Sequence, residues 1–80
     1  MEWCSFVVDG ETFFWTAYSS SWRTGDGPEA DTEYLTVSRA PNVPGVGRVY
    51  DAGTVVTEEH AVDTVRLFRA HGREIPEAPP

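Results

Sequence analysis

His60, Thr64, Leu67 and His71 recur at the spacing of one helical row, and two histidines on one row are a first place to look for acid-base or metal chemistry. At about 1.5 Å of rise per residue the two rings stand about 16 Å apart, too far for a shared metal ion or a proton relay. His60, Leu67 and His71 therefore read as a solvated outer patch of a helix, with Leu67 as an alternative contact for a partner. Cys4 is the one cysteine, so no internal disulfide can form. With no base beside it in sequence, it reads as a buried small hydrophobe rather than a nucleophile. Asp26, Glu29, Asp31 and Glu33 supply carboxylates, but at irregular spacing and without the alternating ligands of an EF-hand loop. Gly25-Asp26-Gly27 followed by Ala30 has the outline of a dinucleotide fingerprint that Pro28 interrupts, and Gly45-Val46-Gly47 lacks the third glycine and the helix that phosphate binding needs. Arg66, Arg69 and Arg73 form a second helical stripe, explained by the helix dipole and by Asp63 three residues before Arg66. No catalytic residue, metal site or cofactor is expected from these groups.

The elements that would hold them begin with residues 5–18, SFVVDGETFFWTAY. Asp9-Gly10 accepts the positive φ values of a type I′ turn, and the flanking runs of Val, Phe, Trp and Thr favour strands. A two-residue loop sets the register, pairing Phe6 with Phe13 and Cys4 with Trp15 on one face, and Ser5 with Phe14 and Trp3 with Thr16 on the other. Both faces are substantially apolar, so each calls for a cover. Residues 19–31 have turn composition throughout and read as a long loop in which Trp22 either folds back over an apolar face or meets a partner. Residues 32–39 alternate as a half-buried strand, 40–47 are broken by two prolines, and 48–56 hold a fourth strand around Val49 and Tyr50.

The last element is a helix over residues 58–71. Thr57 is the N-cap, Glu58 and Glu59 follow where the macrodipole favours acid, and Gly72 stands at C′. Ala61, Val65 and Phe68 share its core stripe with Val62 beside them. That stripe can cover Phe6, Val8, Phe13 and Trp15, but not also Trp3, Val7, Phe14 and Tyr18 on the reverse. Beyond Gly72, Ile75 can pack back, and residues 73–80 form a proline-rich tail that is disordered in part.

Composition bounds the rest. Eighty residues make one domain, 1–72 with its tail, and 40% apolar and 12% aromatic residues suit a folded chain. A net charge of −7 opposes binding to a polyanion, so direct nucleic-acid binding is not expected. No apolar run approaches signal-peptide or membrane length, and a soluble protein of the reducing cytoplasm is expected. All six basic residues are arginine, as a high-GC coding bias would produce.

The runs VDGETFFW, LTVSR and VVTEEHAVDTVRLFRAHGREIP resemble a group of small uncharacterised proteins of high-GC bacteria. In that group a hairpin with a VDG turn precedes an LTV strand and a terminal helix that opens on VT and ends in Gly and Pro. The resemblance implies the order ββββα and no activity. The chain departs from the group by its acidity and by residues 19–31.

The expectation is therefore a small α+β domain: an antiparallel sheet of three or four strands with the C-terminal helix packed on one face. Its function is expected to be protein binding, in the cytoplasm and without enzymatic activity, through Trp3, Val7, Phe14, Tyr18 and Trp22, with a homodimer as one form of it. The alternative is an acidic inhibitor or antitoxin that imitates nucleic acid toward a basic enzyme, through Asp26, Glu29, Asp31 and Glu33.

Overall fold

The computed structural model describes residues 2–23 and 29–78, and for 21–23 and 29–31 the backbone alone. Four strands and one helix follow in chain order: β1 (Cys4–Val8), β2 (Glu11–Arg23), β3 (Glu29–Ser38), β4 (Val46–Asp51) and α1 (Glu58–Ala70). The strands form one antiparallel meander in the order β1-β2-β3-β4. The α+β expectation is met, and the helix packs on one face.

The first hairpin follows from two residues. Asp9 and Gly10 take φ of 50° and 81°, the left-handed pair that a type I′ turn requires. The resulting register sets Cys4 opposite Trp15 and Phe6 opposite Phe13, as the sequence predicts. Phe6, Val8, Phe13, Leu35 and Val37 then share the face toward α1, where Ala61, Val65 and Ile75 complete the buried core. Phe68 and Val62 pack against it half-buried.

Three expectations change. Residues 19–31 are not one long loop: β2 runs on through Arg23 and β3 starts at Glu29, with Ser19 opposite Glu33 and Trp22 opposite Ala30. Serine has no strong strand preference of its own, but cross-strand pairing with a Thr- and Tyr-bearing partner supplies what composition withholds. Cys4 is exposed rather than buried, because β1 is an edge strand that ends there. Thr64 is fully buried, not part of a solvated row, and its hydroxyl donates to the His60 carbonyl at 2.8 Å. That bond satisfies the hydroxyl within the helix and lets a polar residue sit between Ala61 and Val65 on the core stripe.

The long second hairpin gives the molecule its shape. Its radius of gyration is 14.0 Å, against about 12 Å for a compact chain of this length. β1 accompanies β2 only as far as Trp15, and β4 accompanies β3 only as far as Thr32. The far end of β2 and β3 is a two-stranded ribbon.

The connection from β3 to β4 crosses back tightly. Ser38 is buried and donates from Oγ to the Ala40 carbonyl at 2.5 Å, and Asn42 takes a φ of 61°. A Cβ placed on Gly45 would lie 2.0 Å from the Val37 carbonyl oxygen and 2.7 Å from the Ser38 Cβ. Gly45 is thus needed for backbone approach, not for phosphate binding. Gly45→Ala should lower the unfolding free energy by roughly 2–4 kcal/mol, as other steric insertions against backbone do. Gly47→Ala, where the nearest atom lies 3.7 Å away, should cost far less, and urea denaturation of the two variants measures the difference.

Candidate functional site

Ordinary burial and pairing account for most of the residues that could do chemistry. His60 is the third residue of α1, and its Nδ1 accepts the Thr57 backbone N–H at 3.0 Å. The ring closes the N-terminus where a Glu or Gln would stand in the usual capping box. It also meets the Tyr50 ring edge-on, with centroids 5.0 Å apart. His60 is therefore a capping residue, while Leu67 and His71 remain exposed at the other end, so the three do not form one patch. Among the described residues no group of three or more His, Cys, Asp or Glu side chains is arranged to hold a metal ion. No helix of the described residues is long and apolar enough to cross a membrane.

The arginine stripe of α1 is divided. Arg69 reaches the first hairpin, pairing with Asp9 at 3.2 Å and with Glu11, and bonds Glu74 at 3.0 Å. The hydrogen bond that Arg69 donates to the Glu74 carboxylate is the largest influence raising the Arg69 pKa; desolvation opposes it, and Glu11 adds to it. Arg39, at the end of β3, bonds Glu74 at 3.2 Å and the Ile75 carbonyl at 3.0 Å. Both guanidinium groups lie over the ring of Phe13, at 4.9 and 5.6 Å from its centroid. Arg73 instead lies over Phe68 at 4.8 Å. The cluster around Phe13 is a clamp between the first turn, β3, α1 and the tail. Its charges are mutually satisfied, which makes it a poor anion site.

The face of the sheet away from α1 differs. Register places Trp3, Ser5, Val7, Phe14, Thr16 and Tyr18 there from the first hairpin, with Tyr34, Thr36 and Ser38 from β3 and Val49 from β4. The indole N–H of Trp3 donates to the Asn42 side-chain oxygen at 3.1 Å. That bond draws the indole across the sheet toward the connection after β3; Thr16 is only 4% exposed, and Phe14 is half-buried. The chain therefore screens the middle of this face with Trp3, held there by Asn42; the side chain of Trp22 lies outside the described residues. Trp3 and Phe14 belong to that screened part.

What stays open lies at the two ends. Val7 is 63% exposed beside the first turn. At the other end Tyr18, Tyr34 and Val49 form one row across β2, β3 and β4, with Tyr18 and Val49 at 45% and 65% exposure. The two tyrosine rings stack at 5.0 Å and 15°. Tyr34 and Val49 are additions that a reading of the first hairpin alone misses. The alternating pattern of residues 32–39 and the strand at Val49 contain the signal, once β3 is paired with both neighbours.

The acidic set is not assembled in the expected way. Asp26 lies outside the described residues, and so do the side chains of Trp22, Glu29 and Asp31. Glu33 accepts a hydrogen bond from the Ser19 hydroxyl at 2.5 Å on the α1 side of the sheet. A groove of about 680 Å³ opens where β1 stops and β2 continues, lined by Glu2, Cys4, Trp15, Ala17, Tyr18 and Val56 among others.

No protein-family model, curated protein or solved structure matches this chain.

The clamp makes a direct prediction. Glu11→Gln removes one of the two acids that Arg39 and Arg69 share, and should lower the unfolding free energy by about 1 kcal/mol at low salt. In urea titrations the gap to the parent should narrow as sodium chloride is raised to about 1 M, where the Debye length falls to about 3 Å.

Proposed function

We propose that this chain is a protein-interaction module that binds a partner protein through the face opposite α1, and that it carries out no catalysis of its own. The observation that carries this reading is the row of Tyr18, Tyr34 and Val49, exposed at Tyr18 and Val49 and half-buried at Tyr34. Two stacked tyrosines on a paired sheet offer a large amphipathic contact whose rotamers are already restrained, so little side-chain entropy remains to be lost on binding. Each ring is apolar in the middle and polar at its tip, the chemistry enriched at interface cores. Hydroxyl side chains flank the row, with Thr16 and Thr36 on one side and Ser20 on the other. The fitting partner presents a flat apolar strip with hydrogen-bonding groups at its margins.

The absence of catalysis in this reading rests on how reactive groups are used. His60 caps a helix, Ser19 bonds Glu33, and the two central arginines are held by Asp9, Glu11 and Glu74. The exposed Cys4 thiol suits a reducing compartment such as the cytoplasm, where it stays free.

Site-specific photo-crosslinking tests the face. A benzoylphenylalanine at Val49 should join the chain to a partner protein in extract of its own cells, and one at Asp63, on the exposed side of α1, should not. Val49→Glu should weaken binding of that partner at least tenfold, about 1.4 kcal/mol. Equal capture from both positions, or none from Val49, overturns the reading.

A further inference from the structure

The strand β2 is 13 residues long, and β1 pairs with it only from Glu11 to Trp15. From Thr16 onward, no described strand lies on that side of β2, while the other side pairs with β3 through to Arg23. The type I′ turn tells which backbone groups this leaves unpaired. A two-residue loop makes Val8 and Glu11 a hydrogen-bonded pair, and in an antiparallel ladder such pairs recur at every second residue. Glu11, Phe13 and Trp15 thus direct their N–H and C=O groups toward β1. By the same alternation Ala17, Ser19, Ser21 and Arg23 direct theirs to the unpaired side.

Natural edges are usually blunted by lysine, proline, a bulge or a short strand. This one has none of these. Residues 16–23 read TAYSSSWR, without proline or acid, and carry a single charge at Arg23. The ribbon also needs support, since two strands alone are marginal in water.

We propose that a second copy of this chain fills the edge, through antiparallel pairing of β2 with β2 of the other copy about a two-fold axis at Ser20. This goes beyond the face described above and uses a different surface. The register that pairs the whole unpaired stretch sets Ala17 opposite Arg23 and Ser19 opposite Ser21, twice by symmetry. The seam is about 24 Å long at about 3.4 Å per residue and forms about eight backbone hydrogen bonds. Small side chains at Ala17, Ser19 and Ser21 allow the strands to approach.

Charge selects a second copy over an unrelated strand. The net charge of −7 on each chain opposes self-association in general. In this register, however, the one charged residue of the edge, Arg23, arrives opposite Ala17, in the row where the groove is lined by Glu2. Each copy supplies one positive and one negative position, and the symmetry axis matches them. Because β1 leaves the sheet at Cys4, the incoming strand occupies the column that β1 vacates. The product is one eight-stranded sheet with both helices on the same side.

Sedimentation of the full chain over a concentration series tests this. The parent should approach twice 8.9 kDa. Ser19→Pro removes an outward N–H and leaves the backbone ladder to β3 intact, but it also loses the hydroxyl bond to Glu33; compared with Ser19→Ala, which loses that bond alone, it should weaken the dimer at least tenfold. Glu2→Arg and Arg23→Glu should each weaken it severalfold, and the two together in one chain should restore it. This swap tests the register even if the proline variant folds poorly. A parent monomeric at all concentrations overturns the proposal, as does a dimer untouched by Ser19→Pro or a swap without recovery. A dimer lost in Val49→Glu but kept in Ser19→Pro assigns self-association to the open face and also overturns the edge.

Discussion

Phe13 is the residue on which the arrangement turns. Its ring is fully buried beside Phe6, with centroids 5.7 Å apart, and the guanidinium groups of Arg39 and Arg69 lie over it. Cations over an aromatic ring are favourable, but arginines drawn partly out of water need counter-charges. Asp9 and Glu11 supply them from the first turn, and Glu74 from the segment after α1. Four segments distant in sequence are thereby held at one point. With Glu74 held, Ile75 drops into the core at 2% exposure, and the folded unit extends past Gly72 to include it.

The same economy leaves the opposite end of the molecule thin. A chain of 80 residues has only enough large apolar side chains for one compact core, and these gather at the turn end of the first hairpin. Beyond Leu35 the sheet continues with Tyr, Ser and Thr. There the helix no longer covers one face, Trp3 no longer screens the other, and β1 no longer covers the edge of β2. The tyrosine row and the edge of β2 that no described strand pairs therefore adjoin each other for one reason.

Much of this architecture is legible in the residues. Asp9-Gly10 with its flanking aromatics states the first register, because only one turn type suits that dipeptide at that length. Thr57, the two glutamates and Gly72 bracket α1 to within a residue of Glu58–Ala70. The match of Ala61, Val65 and Phe68 to the Phe6 and Phe13 face follows from helical and strand periodicity alone. Less legible are Cys4, Thr64 and residues 19–23. Cys4 is apolar by type but sits where an edge strand ends; Thr64 is polar by type but spends its hydroxyl on the His60 carbonyl. The serines of β2 resemble a loop until β3 is laid beside them.

By itself, then, the sequence determines local conformation and which faces are apolar, since turn type, capping and periodicity depend on neighbours a few residues away. It implies that the first hairpin has more apolar surface than one helix can cover. Tertiary structure alone decides how that surplus is met, because the answer depends on pairings between distant segments. Trp3 is tied to Asn42, Arg39 and Arg69 close over Phe13, and β2 outruns β1. Among the described residues, Val7, Tyr18 and Val49 remain open after those pairings, together with the edge from Ala17 to Arg23.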